Sequence, residues 1–150
     1  MPSASTVFVD TNVLLYAQDD RAPSKQQSAQ AWLTHCWNHR SGRLSTQVLN
    51  EFYVNLRKAA PGMSVDAARD LVRRYRAWQP WAVDEQTVDR AWGLQDRFSF
   101  SYWDALMVAA AHQLGCIVLL TEDLQHGLVV DRLEIVNPFY SSPAILDTSE

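Results

Sequence analysis

Residues 7–16 read VFVDTNVLLY. Val7, Phe8 and Val9 are apolar with no alternation, the pattern of a strand buried on both faces. Leu14, Leu15 and Tyr16 carry the apolar face of a helix that starts directly afterwards, over about residues 11–18. Asp10 stands at the seam. A strand running straight into a helix opens a βα unit. A carboxylate at that junction is either a helix cap or a chemical group.

The same alternation continues outward. Helices are predicted over residues 24–40, 46–60, 64–78, 84–97 and 102–114, with Ser24, Asp84 and Ser101 as N-caps and Gly115 as a stop. A short strand is expected near Leu44, a second in CIVLL (residues 116–120) and a third in LEIV (residues 133–136). QPWAV (residues 79–83) reads as a short extended piece. Strands alternating with helices predict an α/β fold with a central parallel sheet. In such sheets ligands bind beyond the carboxyl ends of the strands. Asp10 ends the first strand, and Thr121-Glu122-Asp123 follows IVLL, so both belong to one sheet edge.

Length and composition set the outer bounds. The chain has 150 residues, 47 % of them apolar, which suits a single domain over 1–150 with a tail that frays from about residue 141. Its longest uninterrupted apolar run, residues 105–111, is far too short to span a bilayer. The start, MPSAS, lacks the basic and apolar regions of an export signal. Cys36 and Cys116 are too few and too far apart for a disulfide framework or zinc site, and predict buried thiols in a reducing compartment. A cytoplasmic location is expected. The net charge of −4 argues against a general nucleic-acid binder. Yet six of the 13 basic residues, Arg57, Lys58, Arg69, Arg73, Arg74 and Arg76, crowd the third and fourth helices. They are a candidate phosphate-binding set, against the plainer reading of a solvated face.

Four carboxylates stand out by placement: Asp10, Glu51 beside the apolar face of the third helix, Asp104 in the first turn of the sixth, and Asp123. Each has a plain explanation taken singly: a cap, a solvated helix residue, a capping box with Ser101, a turn residue. Asp10 and Asp123 belong to one sheet edge; if Glu51 and Asp104 also reach it, about four like charges share a small volume, where they raise each other's pKa or need a counter-cation. The chain's two lysines, Lys25 and Lys58, follow neither major strand. A hard divalent cation, Mg²⁺ or Mn²⁺, answers that need with oxygen ligands. Such a site suits phosphodiester hydrolysis by water.

VFVDTNVLLY, TQVLNEFY, FSFSYWDALMVAAA, CIVLLTEDLQHG and IVNPF, in this order, resemble a PIN domain, and more narrowly a VapC-type toxin of a bacterial toxin–antitoxin pair. The likeness runs over residues 7–139 and implies a three-layer α/β/α fold and metal-dependent ribonuclease activity. It implies that Asp10, Asp104 and Asp123 line the metal site and that Glu51 reaches it through water. Thr11, Asn12 and Thr121 match the family's small polar residues beside the acids. The family's T-x-D spacing selects Asp123 over Glu122, although the aromatic that many members carry soon afterwards is replaced by Leu124 and Gln125. The resemblance further implies an RNA substrate, a homodimer and a cognate antitoxin.

Other readings are weaker. A phosphate-accepting receiver module needs a lysine after a late strand, and a haloacid dehalogenase-type phosphatase needs a second Asp where Asn12 stands. A PIN-like domain that binds RNA or antitoxin without cutting is the alternative that keeps the fold. Trp32, Trp37 and Trp92 are expected in the core, Trp78 and Trp81 on the surface, and Trp103 beside the acids.

Overall fold

The computed structural model describes residues 5–148. Residues 1–4, on which the expectation about an export signal partly rests, and residues 149–150 lie outside that range. The order of elements is β1 (Val7–Val9), α1 (Thr11–Tyr16), α2 (Pro23–His39), β2 (Gly42–Arg43), α3 (Thr46–Ala59), α4 (Val65–Tyr75), α5 (Glu85–Arg97), α6 (Tyr102–Gln113), β3 (Val118–Leu120), β4 (Val129–Val130) and β5 (Leu133–Val136). Two 3-10 turns, Arg76–Trp78 and Pro143–Thr148, complete it.

The sheet order is β2-β1-β3-β5-β4, with β2, β1, β3 and β5 parallel and β4 antiparallel to β5. Helices cover it in a three-layer α/β/α arrangement. α1 packs on α2 and α3, α3 on α4, and α5 on α6. β1 and β3 are fully buried, as strands with helices on both faces must be. α6 is buried at every position from Ala105 to Ala111 and forms the apolar spine of the core. Val9 pairs with Leu120, and Leu120 with Val136. That register brings Asp10 and Thr121 to one level: Asp10 N donates to the Leu120 carbonyl and Thr121 N to that of Val136.

Several local expectations differ from the fold. Ser24 does not cap α2: the helix starts one residue earlier at Pro23, whose fixed φ suits a first helical position. β4 had no signal, because its two-residue turn to β5 is Asp131-Arg132, with Asp131 at φ 57° in place of the usual Gly. Over the described residues 141–148 the tail makes contacts with α2. Trp32 Nε1 donates to the Ser141 carbonyl at 2.8 Å, and the turn Pro143–Thr148 lies on α2. Trp78 is buried, packed edge-on to Tyr75 and tilted against Trp37, while Trp81 is half-buried and donates to Thr87 Oγ1. Trp92 is exposed, since α5 turns its opposite face to α6. Cys36 and Cys116 are free and buried, and burial pushes the two thiols up to about 12 and about 11. Among the described residues no helix is long and apolar enough to cross a membrane.

Candidate active site

Asp10 is both a cap and the centre of a polar cluster. Its Oδ1 accepts from Thr11 N at 2.6 Å, which starts α1. Its Oδ2 accepts from Thr121 Oγ1 at 2.8 Å and from Asn12 Nδ2 at 3.3 Å. Thr121 is wholly buried and also takes a hydrogen bond from Asp123 N at 3.0 Å. One hydroxyl thus fixes the ends of β1 and the β3 turn to each other. The same Asn12 amide that reaches Asp10 donates to Asp123 Oδ2 at 3.0 Å. Asn12 therefore bridges the two carboxylates, and its own Oδ1 is buried without a partner.

Glu51 arrives from α3, which packs across α1. Thr11 Oγ1 donates to its Oε2 at 3.1 Å and Gln47 Nε2 to its Oε1 at 3.2 Å. Asp104 sits in the first turn of α6, whose N-cap Ser101 accepts from Asp104 N at 3.1 Å. The positive end of α6 favours the ionised carboxylate there.

The acids sense one another. Burial pushes the Asp10 carboxyl from its ordinary 3.8 up to about 7. Hydrogen bonds from Thr121 and Thr11 N oppose the rise, and the charges of Asp123 and Asp104 add to it. Asp104 is raised as well, first by burial, against the bond with Ser101, then by Asp123 and Glu51. Among the described residues none of the four is ion-paired with a lysine, arginine or histidine. Lys25 is committed elsewhere. It pairs with Glu122 at 2.9 Å and lies over the rings of Tyr16 and Phe139. That pairing separates the two acids of the TED turn, with Glu122 held by Lys25 and Asp123 by the Asn12 amide.

The donor set fits a hard divalent cation: carboxylate and amide oxygens, like charges that raise one another, and no basic side chain to neutralise them. Among the described residues no group of three or more His, Cys, Asp or Glu side chains is placed so that it could hold a metal ion as it stands.

The basic residues do not converge on it as a set. Arg57 donates to the Met63 carbonyl, Arg73 pairs with Asp70 at 2.7 Å, and Arg74 lies over Trp37. Arg69 donates to Tyr53 Oη, and Arg76 is exposed in the turn that packs Trp78. Lys58 alone of the predicted RNA-binding residues lines a groove with a member of the site, Asn12. Closeness in sequence was misleading here, because successive helical residues point in different directions. Sequence reading also missed Gln47. Its only signal was a position one helical turn before Glu51.

A family model of the PIN domain matches residues 7–129. A search of curated proteins finds no match. Solved structures are similar in fold. A toxin–antitoxin complex from Klebsiella pneumoniae superposes with a TM-score of 0.64 at 16% identity, over 89% of this chain and 98% of that one. Mycobacterium tuberculosis VapC20, described as a Sarcin-Ricin loop cleaving toxin, gives 0.54 at 20% identity, over 76% and 87%. Rickettsia felis VapBC2, solved on a fragment of promoter DNA, gives 0.58 at 12% identity, over 87% and 96%. With a family match over most of its length and the expected α/β fold around a largely parallel sheet, the chain belongs to the PIN domain family.

Proposed function

We propose that this protein is a Mg²⁺- or Mn²⁺-dependent endoribonuclease and the toxin of a toxin–antitoxin pair, acting in the cytoplasm. The observation that carries this reading is the gathering of Asp10, Glu51, Asp104 and Asp123 at one sheet edge with no cation of the chain's own to balance them. Membership of the PIN family supports it, as does likeness to structures described as toxin–antitoxin complexes. A cognate antitoxin, which that likeness supports, and a homodimeric state, which the resemblance to VapC-type toxins implies, belong to the proposal. The whole chain, 1–150, acts as one PIN-like domain.

In this mechanism Asp10, Asp104 and Asp123 would hold the cation, which would supply Lewis acidity toward water and toward the charge on the scissile phosphate. Water is the nucleophile; its oxygen bonds to phosphorus as the P–O bond to the leaving sugar breaks. Glu51, fixed by Thr11 and Gln47, orients that water and receives its proton at the carboxylate. Thr121 and Asn12 keep the Asp10 and Asp123 carboxylates at a set separation. That spares their reorganisation during the reaction.

The test is digestion of total RNA by purified, antitoxin-free protein with Mg²⁺ or Mn²⁺, with EDTA, and by Asp10→Ala protein. Discrete cuts lost with EDTA and in the variant are the expected result. Folded, antitoxin-free protein that cuts nothing under either metal overturns the nuclease in favour of a binding domain.

A further inference from the structure

Two grooves open on either side of the acid cluster, and α3 runs between them. The first, of about 400 Å³, is lined by Asn12, Tyr16, Asn55, Lys58 and Glu122, with Arg21 at its rim. Arg21 is paired with Asp19 at 2.9 Å, whereas Lys58 has no ion-pair partner among the described residues. The second, of about 480 Å³, is lined by Gln47, Asn50, Glu51, Val83, Trp103 and Leu106. Trp103 is 62% exposed, an unusual state for the largest apolar side chain. It is not loosely placed. It directly precedes Asp104, Tyr102 packs edge-on to it at 5.4 Å, and Gln47 Nε2 bonds both its carbonyl and Glu51 Oε1 at 3.2 Å. Trp103 lines this groove together with Glu51 of the acid cluster.

α3 relates the two grooves. Gln47, Glu51, Asn55 and Lys58 recur at helical spacing along one stripe of α3, and Asn55 Nδ2 donates back to the Glu51 carbonyl at 2.9 Å. From Gln47 to Lys58 the stripe rises about 16 Å, the length of a few nucleotides. An aromatic platform, an acid cluster and an unpaired ammonium then follow one another on a line.

We propose that single-stranded RNA crosses the acid cluster along this stripe, with one base stacked on Trp103 and a phosphate a few nucleotides away held by Lys58. The track rests on the nuclease reading above and assigns Trp103 and Lys58 as its RNA contacts. Stacking on an exposed indole is open to any base that has left its helix, and a single ammonium holds a phosphate without reading sequence. The side-chain amides of Gln47 and Asn50 flank the platform, where the edge of a stacked base would lie.

The experiment is fluorescence anisotropy of a short fluorescein-labelled single-stranded RNA of mixed sequence, at several salt concentrations. All proteins are antitoxin-free and carry Asp10→Asn, so that the probe survives. Trp103→Ala is expected to weaken binding about tenfold with the salt slope unchanged, and Trp103→Phe to restore most of it. Lys58→Ala is expected to lower the salt slope by about one. Matching circular dichroism and melting curves establish that each variant is folded; both residues are exposed. Parental affinity in Trp103→Ala, or a parental salt slope in Lys58→Ala, overturns the track and leaves the nuclease standing. A change of oligomeric state in Trp103→Ala by sedimentation overturns it too, by making the platform an interface between copies. If Asp10→Asn protein binds no RNA at any salt, the nuclease reading falls with it.

Discussion

At the scale of single residues, Thr121 and Asp10 carry the most consequence. The Thr121 hydroxyl is wholly buried between Asp10 Oδ2 and Asp123 N, donating to one and accepting from the other. Thr121→Val keeps the shape, removes the partner of Asp123 N and leaves Asp10 Oδ2 with only the longer bond from Asn12. It should cost about 1–3 kcal/mol of stability, read by urea unfolding, and lower RNA cleavage at least tenfold. Valine protein with parental stability would show that these bonds contribute nothing. Asp10 supplies a pH signature. Its folded-state pKa of about 7 lies above the ordinary 3.8, so the folded state binds the proton more tightly than the unfolded chain. The resulting stability is fully present below about pH 4 and is lost as pH rises through about 7; Asp104 shifts in the same direction. Metal-free protein should therefore melt several degrees lower at pH 8 than at pH 5, and Asp10→Asn should narrow that gap. A melting temperature that climbs over this range would contradict the burial of Asp10.

At the scale of elements, β2 and the turn after α4 depend on one glycine. A Cβ at Gly42 would stand 2.5 Å from the Trp78 ring, which packs with Trp37 and Tyr75 against this edge of the sheet. The ring must shift out of its packing with Trp37 and Tyr75 to make room, so Gly42→Ala should cost about 1–3 kcal/mol and lower the melting temperature by several degrees. Gly93, exposed on α5 with open space around it, is the control: Gly93→Ala should be neutral or slightly stabilising. Equal melting of the two variants would remove the packing explanation. Ends of elements were largely legible from sequence. Ser64, Asp84 and Ser101 cap their helices because an oxygen at that position meets an orphan backbone N–H whatever the surroundings. The faces of the helices were less legible. Spacing placed Trp92 on a stripe, but only the approach of another element decides which stripe is covered.

At the scale of the whole molecule, the cluster links metal, charge and stability. Four acids without a counter-ion oppose one another in the folded state and not in the unfolded chain. A cation that binds only the folded protein should stabilise it by about 2.7 kcal/mol at a hundredfold excess over its dissociation constant. Differential scanning calorimetry at pH 8 with Mn²⁺ against EDTA should show that rise in the parent and its loss in Asp104→Asn. A melting temperature indifferent to Mn²⁺ would leave the four acids without a metal.

The α/β class and the buried strands that precede Asp10 and Asp123 were legible in the sequence. These are properties of local pattern: continuous apolar runs make buried strands, and Asp10 and Asp123 follow such runs within a residue or three. The family resemblance separated Asp123 from Glu122, and the structure supplies a physical reason for that choice in the Lys25 pair. Only the tertiary structure brought Glu51 to Thr11 across 40 residues, seated Asn12 between Asp10 and Asp123, scattered the arginines of α3 and α4, and left Trp103 exposed beside the acids. Those outcomes depend on which helix lies against which, a choice made by packing over the whole core and carried by no single stretch of chain.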